Sequence, residues 1–419
     1  MRILFSEGSS LSARESLTIL GLEGHEIFVI DPNPACICRF SRFTSRYRRS
    51  PSPGRESEAY YQFVLELIER ERIEVLMPVH EQAFLFSRRL GEISGRAAIA
   101  LPPFESYREL FSKARFARLL EELGLPHPEG AICATIEEAR AWDRFPSYLK
   151  TEYGTASMGV WRVGSRDELC AALASPRIGE AIKAGASLIA QESAPGALEI
   201  GQAAFDHGRL AAFHCSRRLR EGASGSSSVK VGVERPAVRE HFERIGRRLG
   251  WHGPLSIDYL YEDGTGTPRY IDASPRLVEP MNAFINGVDL PRAQLLSSLG
   301  RGGEIPPSSG TRGRKSRMAM LALLKTAQGG GSRRDIIKEL CDIKMGRGAY
   351  GDGAEELLDA EADPAALVPF AVVLARLLAS PRAAARIAAG AVGNYALSET
   401  AIREFGEIST PQIIQNSHS

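Results

Sequence analysis

The opening hundred residues alternate between short apolar runs and helical spacing, and few folds accept that order. Residues 2–6 (RILFS) form an apolar run that breaks at Glu7-Gly8-Ser9-Ser10. A helical pattern follows to Leu22, and a second apolar run closes on Asp31. Strand, small-residue turn, helix and strand make a βαβ unit, whose strands must lie parallel. Residues 60–72 carry helical spacing, residues 73–78 read as a buried strand, and residues 97–101 as another. We expect a small doubly wound α/β domain. The turn at Gly8 has serines where a dinucleotide fingerprint needs glycines, so nicotinamide binding is disfavoured. Open α/β sheets still bind ligands at the carboxyl ends of their strands, where Ser9, Ser10, His80 and Glu81 fall. Helix capping by the two serines is an equal reading.

Composition narrows the partners. The 419 residues hold 52 Lys and Arg against 51 Asp and Glu, a net charge of +1. An electrostatically driven nucleic-acid binder would be basic overall, so no nucleic-acid partner is expected. Residues 365–375 form the most apolar late stretch, about half the length a bilayer span needs, so no membrane association is expected. The six cysteines have no repeated spacing, Cys36 and Cys38 lack a second ligand pair, and no signal core opens the chain. A cytoplasmic protein with reduced thiols is the expectation. Residues 38–55 are basic without an acid, and their Ser-Pro-Ser-Pro-Gly end predicts a solvated surface loop.

Four later blocks carry chemistry. The first is a strand ending in Lys150, then the small loop 154–159 (GTASMG), then a strand at 160–163. Small residues let backbone N–H groups approach phosphate oxygens, and the lysine supplies a compact positive charge. In the second, an apolar strand ends at Gln191-Glu192, turns at Pro195-Gly196 and continues to Glu199. The third is a hairpin with Asp258 in one strand and Asp272 in the other, and Ser274 two residues on, sharing the face of Asp272. Carboxylates inside apolar strands are costly unless paired or bound to a cation, and oxygen ligands beside a phosphate cradle suit Mg²⁺. The fourth is the basic run His214, Arg217, Arg218 and Arg220 before a Gly/Ser-rich loop. Each block read singly also fits an ordinary hairpin, turn or solvated strand.

Taken in order over residues 1–300, with Ser112-Lys113 opening a helix that ends in GLPHP, the blocks resemble the ATP-grasp superfamily. The nearest likeness is to its carboxylate–amine ligases and carbamoyl-phosphate-synthase-like members. The resemblance implies an α/β pre-ATP-grasp domain (residues 1–110), an α+β ATP-grasp domain (111–305) and a mostly helical C-terminal module (306–419). It implies ATP and Mg²⁺ as cofactors. By position, Lys113 and Lys150 would bind phosphates under the loop around Ser157. Glu192 and Ala194 would lie at the adenine hinge and Glu199 at the ribose. Asp258, Asp272 and Ser274 would hold metal. Arg276 would face the transferred phosphoryl group, and Arg218 the acceptor carboxylate, with Glu279, Asn282 and Asn286 nearby. The family pattern Glu-x-Asn-Pro-Arg is here Asp272-Ala273-Ser274-Pro275-Arg276. The shorter acid and the weaker serine ligand imply one well-held metal ion and a looser second. The implied activity is an ADP-forming ligase that joins a small-molecule carboxylate to an amine, and the resemblance leaves room for a homodimer. The departure from the pattern motivates a second reading, an ATP-binding protein without turnover that acts in regulation or assembly.

Overall fold

A computed structural model of the chain describes residues 1–307, 312–357 and 361–407. The first domain is the expected parallel sheet. Strands β1 (Arg2–Phe5), β2 (Glu26–Asp31), β3 (Thr44–Arg49) and β4 (Val75–Met77) lie in the order β3-β2-β1-β4. Ser10 caps the helix Leu11–Leu22 by accepting from the Ala13 N–H. Two expectations change. The basic stretch supplies β3 rather than a plain loop, because an edge strand can turn arginines to solvent; Arg46 and Arg48 pair with Glu71. Residues 97–101 make only an isolated bridge, Val75 to Ala98.

A small antiparallel sheet follows, built from β5 (Gly130–Cys133), β6 (Ser147–Thr151), β7 (Val160–Val163) and β8 (Leu188–Glu192) in the order β5-β8-β6-β7. The long strands come next: β9 (Ala197–Asp206), β10 (Arg209–Glu221), β11 (Ser227–Val233), β12 (Gly253–Glu262) and β13 (Thr267–Ser274). They form a sheet of order β13-β12-β9-β10-β11-β14-β15, with β14 (Lys315–Arg317) and β15 (Ala354–Glu355) closing its far edge. Residues 354–358 carry helical spacing, yet β15 forms there because Ala354 and Glu355 find partners in Ser316 and Arg317. The central third is also more helical than its texture suggests, with helices Arg166–Leu173, Pro176–Lys183 and Pro236–Leu249 covering the sheets.

One aromatic core joins the first domain to the long sheet: Phe84, Tyr107, Trp251, Phe242 and Tyr270 belong to a single buried cluster. A second apolar cluster packs the helix Ala319–Gln328 against Val229 and Ala223. The C-terminal module is largely helical, but β14 and β15 tie it into the long sheet, so no break in packing falls at residue 305. The tail at 409–419 lies outside the described residues. No helix among them is long and apolar enough to cross a membrane.

Candidate functional site

Two lysines from separate elements meet over one cleft. Ser112 caps the helix Lys113–Glu122 by accepting from the Arg115 N–H, and its hydroxyl donates to Glu152 at 2.5 Å. This sets Lys113 at the helix start. Its Nζ donates to the Gly154 carbonyl at 3.1 Å and stands 3.4 Å from Asp272 Oδ1. Lys150 is the last residue but one of β6, and its Nζ donates to Gln191 Oε1 at 2.7 Å and to the Ile271 carbonyl at 2.9 Å. An apolar slot lies between, walled by Phe116, Ala117, Leu120, Ile189 and Ile271, with both lysines and Gln191 in its lining. An apolar lining with cations beside it suits a nucleotide base joined to phosphates, but the slot holds only about 10 Å³, room for a water and not for a base.

Burial holds the Lys150 ammonium down to about 8; Asp272 opposes the fall and Lys113 adds to it. Replacing Lys150 by methionine keeps the stem and removes a buried charge, so the fold persists while nucleotide affinity drops about tenfold or more. Wild-type affinity falls as pH rises through about 8, where this lysine loses its proton, and Lys150→Met lacks that limb. Isothermal titration with MgADP across pH checks both. The depressed value has the opposite consequence for folding. Between about 8 and the ordinary 10.5 the unfolded chain binds more protons, so this group makes folded stability rise with pH there.

The third block folds as its alternation predicts. β12 and β13 pair antiparallel, with Asp258 directly opposite Asp272 and Ser256 opposite Ser274. Like charges directly opposite destabilise a sheet. Burial first, then Asp272, pushes the Asp258 carboxyl up to about 7, while Arg276 and Arg218 pull it back. Asp272 Oδ1 is buried and accepts no hydrogen bond among the described residues, with the Lys113 ammonium 3.4 Å away. Two opposed carboxylates with an unsatisfied buried oxygen suit a hard divalent cation, and Ser274 adds a neutral oxygen to the same strand.

The small loop closes the cleft. Gly154, Ala156, Ser157 and Gly159 all have positive φ, at 144°, 51°, 59° and 81°. A Cβ on Gly154 would lie 2.4 Å from the Met158 carbonyl oxygen, and one on Gly159 2.2 Å from Thr151 Oγ1, so both positions require glycine. Ser157 is exposed, and its Oγ lies 3.2 Å from where a Cβ on Gly225 would stand. Arg218 donates to the Gly225 carbonyl at 3.0 Å, and Arg276 reaches Thr155 Oγ1 at 3.4 Å. The second Gly/Ser loop, Arg218 and Arg276 therefore converge on the first loop.

Other expected site residues turn elsewhere. Glu199, expected at the ribose, turns its carboxylate into the protein. Its side chain is fully buried and accepts from Arg217 Nε at 2.7 Å, Arg235 Nε at 2.8 Å, Arg235 Nη2 at 2.7 Å and Tyr259 Oη at 2.9 Å. Both oxygens are spent on protein donors. Glu192 ends β8 beside Gln191, but its carboxylate pairs outward with Arg144 at 2.9 Å; Ala194 beyond it is half-buried. Glu279 pairs with Lys230 at 2.7 Å, leaving the acceptor pocket expected for it. Asn282 binds His214 and Ser316, and Asn286 takes the Arg314 N–H, so these two buried amides staple the chain to β14. Arg220 pairs with Glu339.

Sequence reading missed three residues. Arg177, on Pro176–Lys183, places its guanidinium against Gly154 and Gly159, and its buried Nε has no acceptor among the described residues. Tyr395 packs tilted against His80 at 3.9 Å between ring centres, and Glu399 has both carboxylate oxygens buried. No local pattern marks any of them.

No family model matches the chain. It is 23% identical over 297 residues to the arginine-specific large chain of carbamoyl phosphate synthase from Geobacillus stearothermophilus, covering 69% of this chain and 27% of that one. It is 25% identical over 278 residues to acetyl-CoA carboxylase 2 of Oryza sativa subsp. japonica, covering 58% of this chain and 12% of that one. The chain thus spans about a quarter of the carbamoyl phosphate synthase chains it matches. Among solved structures it is similar to the biotin carboxylase domain of 2-oxoglutarate carboxylase from Hydrogenobacter thermophilus, in complex with MgADP, ADP and bicarbonate. The TM-score is 0.59 at 16% identity, with 75% of this chain and 72% of that one covered. The L-amino acid ligase of Bacillus licheniformis gives a TM-score of 0.57 at 14% identity, covering 75% and 79%. Phosphoribosylamine–glycine ligase of Thermotoga maritima gives 0.55 at 19%, covering 76% and 80%. The fold is that of the ATP-grasp proteins.

Proposed function

We propose that this ATP-grasp protein is an ADP-forming ligase that activates a small-molecule carboxylate as an acyl phosphate and passes the acyl group to an amine. The reading rests on one observation: Lys113, Lys150 and the opposed pair Asp258 and Asp272 converge on a single cleft from separate elements. The slot between Phe116 and Ile189, now about 10 Å³, would open to take the adenine, with the backbone of Glu192 and Ala194, just past Gln191, at its hinge. Lys113 and Lys150 would hold the phosphates under the loop at Ser157. Asp258, Asp272 and Ser274 would hold Mg²⁺, which when bound neutralises charge on the phosphates. Arg276 and Arg218 would orient the acyl oxygen and the substrate carboxylate over the loop, since positioning and charge stabilisation are what phosphoryl transfer asks of a protein. A closed loop 154–159 would keep water from the mixed anhydride. The relatives above are named as enzymes, and the unsatisfied oxygen of Asp272 fits a loaded metal site, which favours turnover over a nucleotide sensor without it.

Hydroxylamine captures acyl phosphates as hydroxamates. With MgATP, hydroxylamine and a panel of carboxylates, we expect hydroxamate and ADP in equal amounts for at least one carboxylate. AMP as the product, or ADP release that no carboxylate stimulates, would refute the reading.

A further inference from the structure

The turn that joins β9 to β10 is Asp206-His207-Gly208-Arg209. His207 and Gly208 have φ of 46° and 85°, the positive pair of a two-residue hairpin turn, where Asn-Gly is the ordinary choice. Here the first place holds a histidine, exposed at the hairpin tip. Asp206 is positioned by its neighbours. Arg209 Nη2 donates to its Oδ2 at 3.2 Å and to the Gly302 carbonyl at 2.8 Å, and the same carboxylate oxygen fills the space where a Cβ on Gly302 would stand. The other oxygen, Oδ1, faces His252, which lies in the short link between helix Pro236–Leu249 and β12.

Among the described residues, Asp206, His207 and His252 are the one group of three His, Cys or acidic side chains whose donor atoms all lie within 4.8 Å of one another. His252 is only 8% exposed. The His207 N–H donates to its Nδ1 at 3.4 Å, so that nitrogen carries the lone pair. Asp206 Oδ1 stands 3.9 Å from the same Nδ1. Two acceptors therefore face each other with no proton between them, an arrangement that a cation relieves. Donors held about 2.1 Å from a tetrahedral Zn²⁺ lie about 3.4 Å apart, so this pair needs about 0.5 Å of approach. The His207 ring stacks on His252, with centres 4.0 Å apart and planes within 6°. Imidazole lone pairs lie in the ring planes, so stacked rings do not aim at one point. An exposed ring at a hairpin tip turns readily, and rotation of His207 about its side-chain bonds completes the set.

We propose that Asp206, His207 and His252 form a binding site for Zn²⁺ or a like borderline divalent ion, separate from the Mg²⁺ site of the proposed reaction. Two imidazoles and one carboxylate are a zinc donor set, whereas Mg²⁺ takes oxygen donors. Asp206 lies six residues along β9 from Ile200, the partner of Asp258 in the sheet, a span of about 20 Å. The ion would clip the hairpin tip to the start of β12. The proposal does not depend on the nucleotide reading.

The test titrates the full chain with Zn²⁺ against a chromophoric chelator, in excess Mg²⁺ so that oxygen-only sites are filled. Wild type takes up one tightly held Zn²⁺ per chain, and His207→Asn binds it at least about tenfold more weakly. Asparagine suits the positive φ of this position, so the variant keeps the turn. Asp206→Asn, which preserves the shape of the side chain, weakens binding to a similar degree. Cys170 and Cys341 are exposed thiols that also attract zinc. Co²⁺ separates the two sources, because on nitrogen and oxygen donors it gives visible bands without the near-ultraviolet band that a thiolate ligand adds. Zn²⁺ affinity within about twofold of wild type in both variants overturns the proposal, as does a thiolate band with Co²⁺ or no Zn²⁺ uptake by wild type.

Discussion

Asp272→Asn removes nearly all ADP formation, by about 10³-fold, and yet changes the protein's stability by no more than about 1 kcal/mol. The two effects share one cause. Asp258 and Asp272 face each other across the β12–β13 ladder, and the buried Oδ1 of Asp272 accepts no hydrogen bond among the described residues. Without a metal ion the two acids repel, but Asp272 also pairs with Lys113 at 3.4 Å, so neutralising it trades a repulsion for a lost ion pair and the net change stays within about 1 kcal/mol. With a metal ion the two acids are its site, and an amide is a much poorer ligand for a hard ion. Linkage supplies a further check. The Asp258 carboxyl is raised in the folded chain to about 7, from an ordinary value of 3.8. Its contribution to stability is therefore fully present below about pH 4 and is lost as pH rises through about 7. Metal-free wild type should lose stability across that window, and the variant should lose less. Added Mg²⁺ should stabilise wild type increasingly as pH rises and leave the variant unmoved. Thermal unfolding with and without Mg²⁺ at several pH values, beside an ADP assay, decides the matter. Loss of activity with an equal loss of stability would mean that Asp272 is only structural.

Glu199→Ala destabilises the fold by about 3–5 kcal/mol, the cost of leaving buried charges without their partner. Arg217 and Arg235 both point their guanidinium groups at this carboxylate, and Tyr259 donates to it from β12. Removing it strands two cations and one hydroxyl. Arg217 keeps Asp263 as a second partner at 2.5 Å, so Arg235, whose guanidinium otherwise lies over the Tyr261 ring, carries more of the loss. Denaturant titration measures the effect. Nucleotide affinity of the folded fraction discriminates the two roles. A structural Glu199 leaves it within about twofold, whereas a ribose ligand would cost tenfold in affinity with little change in stability.

The contrast between Asp272 and Glu199 also marks how far the sequence can be read. Asp258, Asp272 and Ser274 were legible because their geometry is local. A hairpin of known period puts alternate residues on one face, and its register sets the acids opposite each other. Lys150 was legible for the same reason, as the last charged residue of an apolar strand before a loop of small residues. Glu199 looked equally promising, as an acid soon after a Pro-Gly turn. Its donors lie 18, 36 and 60 residues away, on β10, before Pro236–Leu249 and on β12. No window along the chain contains them. Asn282 and Asn286 escaped the reading for the same reason, since their partners are Ser316 on β14 and Arg314 just before it.

By itself the sequence determined the βαβ opening and its parallel sheet, the glycines of the small loop and the hairpin with an aspartate in each strand. All of these follow from spacing, turn chemistry and strand period, which act over a few residues. Tertiary structure alone decided which charges meet. It turned Glu199 inward to two arginines, brought Arg177 onto the loop, wove β14 and β15 into the long sheet and laid residues 394–399 over the first domain. The reason is electrostatic. What a carboxylate or an ammonium does depends on how dry its surroundings are and which opposite charge lies within a few ångströms. Distant segments set both only when they pack together.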